Sequence, residues 1–314
     1  MVLSPYRTAA LKFLAILLLA GSLTACAAAR SSEPVLAVED APTPGPALWT
    51  ISDEDTTIHL FGFAPVLKPD TEWQSKLISD SLAEANLLVV ENDSSSPEAQ
   101  AAVQSLIPQI GLNTDGRSLS SRLDESERAE LNDITTGIGA PLSALDQLKP
   151  WLASIQLGVL AISQAGFDLQ NVPSNQLLGK AKERAIEVRS LEGPVDLMQI
   201  MSRFSEEEQV GMLLHSARSL RGRRGQQAMI ADAWLSGDIE LIARLLHGEE
   251  GAWSSETIYE TMLVARNEAW RDRIKILMAE HEGTVFFTVG LGHFAGEDSL
   301  IAMLEVDGFD VVRR

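Results

Sequence analysis

Hydrophobic positions recur along this chain with two different spacings. Ala47–Ile51 and Ile58–Gly62 are short apolar runs split by "SDEDT", a turn of acids with Ser and Thr, and they predict a β-hairpin. "KPDTEW" predicts the opening of a helix capped by Asp70 or Thr71 and running to about Ala85. "NLLVVEND" then predicts a buried strand that ends at Glu91. From Pro97 to Glu282 the spacing is mostly helical, over Trp151–Gln164, Leu177–Ala185, Pro194–Arg203, Glu206–Leu220, Gln226–Leu235, Ile239–Leu246 and one long helix Ser255–Glu280. A short strand interrupts it at Ile186–Glu192, and "RGRRG" breaks it at Arg221–Gly225. The end returns to a strand at Val285–Val289, a helix over residues 297–306 and a strand at Phe309–Val312.

Both ends therefore read strand, glycine turn, helix, strand, with Gly62-x-x-Pro65 in the place of Gly290-x-x-His293. The expected fold is α+β (α/β-like). A central mixed sheet is built from the two halves, a large helical insertion lies between them, and the last strand arrives by a parallel crossover. The two glycine turns are expected to converge on one cleft.

The start of the chain changes the picture. Arg7 and Lys12 precede the apolar run Phe13–Ala20, which is shorter than the roughly 20 residues a membrane span needs. "LTAC" (Leu23–Cys26) resembles a lipobox, and Cys26 is the single cysteine among 314 residues, so no internal disulfide competes for it. Residues 1–25 are expected to be a lipoprotein signal, 26–46 a proline-rich flexible tether and 47–314 the folded domain. The resemblance implies a lipid on Cys26 as membrane partner. Ala27, standing where an aspartate would mark inner-membrane retention, implies the periplasmic face of the outer membrane. Without residues 1–25 the chain carries 23 basic against 44 acidic residues, a net charge of −21, which argues against nucleic acid as a partner.

Three positions carry candidate chemistry. His293 follows a buried strand and sits among glycines, where ligands gather beyond strand ends; it is placed to bind metal or act as a base, or else to hydrogen-bond backbone in a tight turn. Glu91 ends its own apolar strand, as a site carboxylate or as the first loop residue. Arg266 falls in the stripe Tyr259, Leu263, Arg266, Trp270, Leu277. A guanidinium there either finds an acid, with Glu91 the candidate, or snorkels at the stripe's edge. His59 alternates with its strand neighbours and reads as solvent-facing; His215, His247 and His281 lack ligand spacing. "GLGHFAG" has too little chain after it for a dinucleotide fold, and HExxH, GxSxG and CxxC are absent from the sequence.

Taken in order, "ALWTISDEDTTIHLFGFAPVL", "ANLLVVE", "KPWLASI", "SLEGPVDLMQIMSRFSEEEQ", "AWLSGD", "ARNEAWRDRI" and "FFTVGLGHFAGEDSLIAMLEVDGFDVVR" resemble the blocks of the TraB/PrgY/GumN family. That resemblance implies a metal-dependent hydrolase ancestry, peptidase-like as in the Tiki proteins, with manganese, cobalt or zinc as cofactor. It implies His293 and Glu91 as metal ligands, Glu91 and Arg266 as catalytic groups, Asn267 as a supporting polar residue, and Gly62 and Gly290 as motif glycines. The chain departs from the family where a Gly-Thr-x-His motif would stand. It reads Gly62, Phe63, Ala64, Pro65, and proline has neither a ligating atom nor an N–H. "NVPSNQ" before the "LLGKA" segment departs as well. The resemblance thus leaves two expectations open, a metallo-hydrolase or an inactive relative that binds a peptide or glycan.

Overall fold

The computed structural model describes residues 45–64, 66–93, 95–167, 172–222, 225–248, 251 and 253–314. The expected signal, most of the tether, Cys26 and Pro65 lie outside the described residues.

Six strands form one mixed sheet: β1 (Leu48–Ser52), β2 (Thr56–Phe63), β3 (Leu87–Val90), β4 (Glu187–Ser190), β5 (Gly283–Gly290) and β6 (Val312–Arg313), in the order β4-β3-β5-β2-β1-β6. β1 and β2 form the expected antiparallel hairpin, while β2, β5, β3 and β4 run parallel. β5 thus inserts between β2 and β3, and Phe63 lies opposite Gly290.

Alternation along the strands assigns each face. Ile58 and Leu60 of β2, Leu87 and Val89 of β3 and Val285 and Phe287 of β5 pack on one side. The helix Ala265–Glu280 covers them with Trp270, Ile274 and Leu277, and the helix Leu300–Val306 adds Leu300 and Leu304. Phe61, Leu88, Val90 and Phe286 face the other way, onto the helices Lys76–Glu84, Pro173–Glu183 and Gln226–Ser236. The period of two along each strand accounts for both layers. Between β3 and β5, helices at Glu125–Gly137, Pro150–Gln164 and Glu206–Gly222 close on a separate core around Leu131, Leu157 and Leu213, which is the expected helical insertion.

Several local expectations are corrected. The first helix begins at Lys76, not within "KPDTEW". Asp70 adopts a left-handed φ of 61°, Thr71 bonds back to the Lys68 carbonyl, and Trp73 is buried against Phe61, so this segment turns before Ser75 caps the helix. The long helix is interrupted: Glu260–Val264 form a π turn, with the Ala265 N–H bonded to the Glu260 carbonyl, before the helix resumes. The last helix starts at Leu300 behind the Ser299 cap, and β6 begins only at Val312. β6 runs in the same sense as β5, as a crossover requires, but it passes two strands and pairs with β1 at the far edge. His59 is buried rather than solvent-facing, with its Nδ1 3.0 Å from the Thr50 hydroxyl, and burial lowers its pKa.

Candidate functional site

The carboxyl ends of β2, β3 and β5 lie side by side at one end of the sheet, and the groups singled out in the sequence gather there. Glu91 follows β3 directly, and His293 lies in the 3₁₀ turn Leu291–Phe294 that follows β5. Arg266 and Asn267 come from the first turn of the helix after the π turn. An insertion of that kind rotates the helical residues beyond it, and such turns recur at functional positions. Here the Met262 carbonyl inside the π turn accepts from Arg266 Nη1 at 3.1 Å.

Arg266 is the centre of the cluster. Its Nη2 donates to Glu91 Oε1 at 2.5 Å and to Glu192 Oε2 at 2.9 Å, and its Nε to Glu192 Oε1 at 2.7 Å. The guanidinium carbon stands 4.6 Å from the centroid of Trp270. The side chains are 9% exposed for Arg266, 15% for Glu91 and 13% for Glu192, so water screens these charges poorly. Burial alone would lower the pKa of Arg266, but Glu192 and Glu91 outweigh it and raise the value further, keeping the cation charged. Glu91 is held from its other side by the Gly290 N–H at 3.2 Å.

The hydrogen bonds fix the tautomer of His293. Asn267 Nδ2 donates to the Asp298 carbonyl at 2.7 Å, which turns its Oδ1 towards His293 Nδ1, also at 2.7 Å. Nδ1 must therefore carry the proton, and Nε2 is left as an acceptor facing Arg266 Nη1 at 3.3 Å. Burial pushes the His293 pKa well below 6.5, and the Arg266 charge and His247 push the same way. The unfolded chain then binds this proton first, so the stability it carries is complete above about pH 6.5 and falls as pH drops below it. Urea unfolding of wild type should weaken by up to about 1.4 kcal/mol per pH unit from this group, and His293→Gln should show a shallower slope between about pH 6.5 and 5.5.

The two motif glycines do different work. A Cβ on Gly62 would stand 2.9 Å from Phe294 Cδ2 and 3.0 Å from Leu291 Cα, so the bare backbone lets the turn carrying His293 lie against β2. Trp234 Nε1 donates to the Gly62 carbonyl at 2.6 Å. A Cβ on Gly290 would meet nothing closer than Glu91 Oε2 at 3.6 Å. Beyond Gly62, Phe63 is half-buried and Ala64 buried, which makes that lip apolar.

Sequence reasoning misses two parts of the cluster. By spacing alone Glu192 merely closes a short strand. β4 pairs with β3 in parallel, and the Glu192 N–H bonds to the Glu91 carbonyl, so the two acids leave adjacent strand ends together. A glutamate closing both "LLVVE" and "RSLE" is the available signal. His247 lacks ligand spacing, yet its Nε2 lies 3.0 Å from the Gly292 carbonyl and its Nδ1 accepts from Trp253 Nε1 at 2.9 Å. Tyr259, which donates to Asp298 Oδ2 at 2.6 Å, packs edge-on against both rings.

A divalent ion of the kind the resemblance implies needs about three protein donors with free lone pairs. His293 Nε2, Glu91 and Glu192 are the available ones, and a single guanidinium engages all three. A second cation would meet the charge of Arg266, and the lip at Phe63 and Ala64 offers no ligating side chain. Among the described residues, no three His, Cys, Asp or Glu are arranged to hold a metal ion together. The residues as arranged do not fit the metal. The chemistry they support is charge neutralisation and fixed hydrogen bonding.

The model of the TraB/PrgY/gumN family matches residues 47–313 of the chain. No curated protein and no solved structure matches it.

Proposed function

We propose, given that this chain belongs to the TraB/PrgY/gumN family, that it is a non-hydrolytic binding protein tethered to the cell envelope through lipid on Cys26. One observation carries the reading: Arg266 engages the two carboxylates and the imidazole nitrogen that hydrolysis would need free. A general base must reach its proton, and a ligand must present a lone pair. Glu91 and His293 are turned to the guanidinium instead. Pro65 stands in the sequence where the family motif would supply a histidine, and with the apolar Phe63 and Ala64 before it this supports the same reading.

The hydrolase reading makes the opposite forecast and is the one to test against. Purified protein spanning residues 27–314 is expected to retain no stoichiometric manganese, cobalt or zinc by elemental analysis. It is expected to cleave no peptides when those ions are added, and to keep its melting temperature in chelator. One bound equivalent of metal together with turnover would overturn the proposal. His293→Ala should leave in-cell function intact while lowering stability. Metabolic labelling with palmitate, lost in Cys26→Ser, tests the tether.

A further inference from the structure

The open edge of the sheet gives this binding reading a site. β4 is one of the two edge strands, paired only with β3 among the described residues. The Leu191 N–H bonds to the Val90 carbonyl. Backbone groups alternate sides along a strand, so Val188 and Ser190 turn their N–H and C=O groups to the open edge. Between this strand and the helix Ala265–Glu280 lies a cavity of about 240 Å³, floored by Val89, Leu191 and Leu277 and edged by Arg189, Arg273 and Ile276.

Three features distinguish it from an ordinary surface crease. Ile276 is 43% exposed and contributes an uncovered apolar side chain. Arg266 and Arg271 of the same helix are ion-paired, whereas among the described residues Arg273 makes no ion pair. Its charge is opposite in sign to the chain's net −19. The strand also runs towards the site: Leu191 lines the cavity, and Glu192, the next residue, holds Arg266. The remaining charges around the cavity are Glu280, His281 and the Glu187–Arg189 pair.

We infer that this groove binds an extended peptide bearing an acidic side chain, which adds to the sheet as a strand beside β4. Main-chain bonds to Val188 and Ser190 supply affinity, and alternate side chains enter the groove. An apolar residue covers Ile276 and Leu277, and the acid meets Arg273. A short, charged edge is how sheets resist indiscriminate pairing. The Glu187–Arg189 pair therefore turns away generic strands and leaves charge at Arg273 to select the partner. This inference rests on the non-hydrolytic reading, since the peptide is held and released whole.

The test incubates the full folded domain with a synthetic pool of nonapeptides. They alternate Val, Ile and Thr around a central position that is either Glu or Lys, and retained peptides are identified by mass spectrometry. Wild type should retain the Glu members at least about tenfold over the Lys members, a difference of about 1.4 kcal/mol. Arg273→Glu should reverse that preference. Ser190→Pro, which removes an outward N–H while leaving the β3 pairing, should abolish retention of both. No retention by wild type, or retention unchanged in both variants, overturns the groove proposal and leaves the non-hydrolytic reading standing. Retention with cleavage of the peptide overturns the non-hydrolytic reading and, with it, release of the partner intact.

Discussion

Replacing Arg266 by methionine is expected to lower the unfolding free energy by about 3–5 kcal/mol, the usual cost of removing one partner from a buried ionic group. The reason lies in the groups left behind. Glu91 and Glu192 would be left beside each other, 15% and 13% exposed, with no cation between them. The Met262 carbonyl and His293 Nε2 would lose a donor as well. The loss should therefore belong to the stranded carboxylates more than to the absent guanidinium. Urea unfolding of Arg266→Met, and of the triple variant Arg266→Met with Glu91→Gln and Glu192→Gln, separates the two contributions. The triple variant should recover more than half of the loss, because neutral amides leave no unpaired charge. A triple variant as unstable as the single one would mean that the packing of Arg266 on Trp270, rather than its charge, holds the site together.

The second large effect is expected at Gly62. Gly62→Ala should cost about 1–3 kcal/mol and Gly62→Val more, while Gly290→Ala should cost less than either. At Gly62 the new methyl would stand 3.0 Å from a backbone atom of Leu291, which cannot rotate aside, and 2.9 Å from the Phe294 ring, itself stacked on Trp49. Relief would require the Leu291–Phe294 turn to lift, carrying His293 away from Asn267. The imidazole resonances should therefore move further in the NMR spectrum of Gly62→Ala than in that of Gly290→Ala, whose methyl would meet His293 Cδ2 only in ordinary contact at 3.7 Å. Equal costs at the two glycines would refute the close approach of the strand and the turn. Both predictions concern the same arrangement, since the turn pressed on β2 points His293 at the guanidinium that Glu91 and Glu192 hold.

Much of this arrangement is legible in the order of residues alone. Short apolar runs at residues 58–62, 87–90 and 285–289 locate the strands. Helical spacing locates the insertion, and a lone arginine in an apolar stripe points to a buried acid, which is Glu91. These are local signals, because side-chain direction follows chain geometry within a few residues. It takes the folded chain to show that β5 lies between β2 and β3, that β6 crosses to the far edge, and that Glu192 completes the grip on Arg266. Strand order depends on contacts between residues far apart in sequence, which no local spacing encodes. The same limit hides His247, whose partner Gly292 is distant along the chain. It also hides the π turn, whose insertion is visible only once the buried face on each side of it is known.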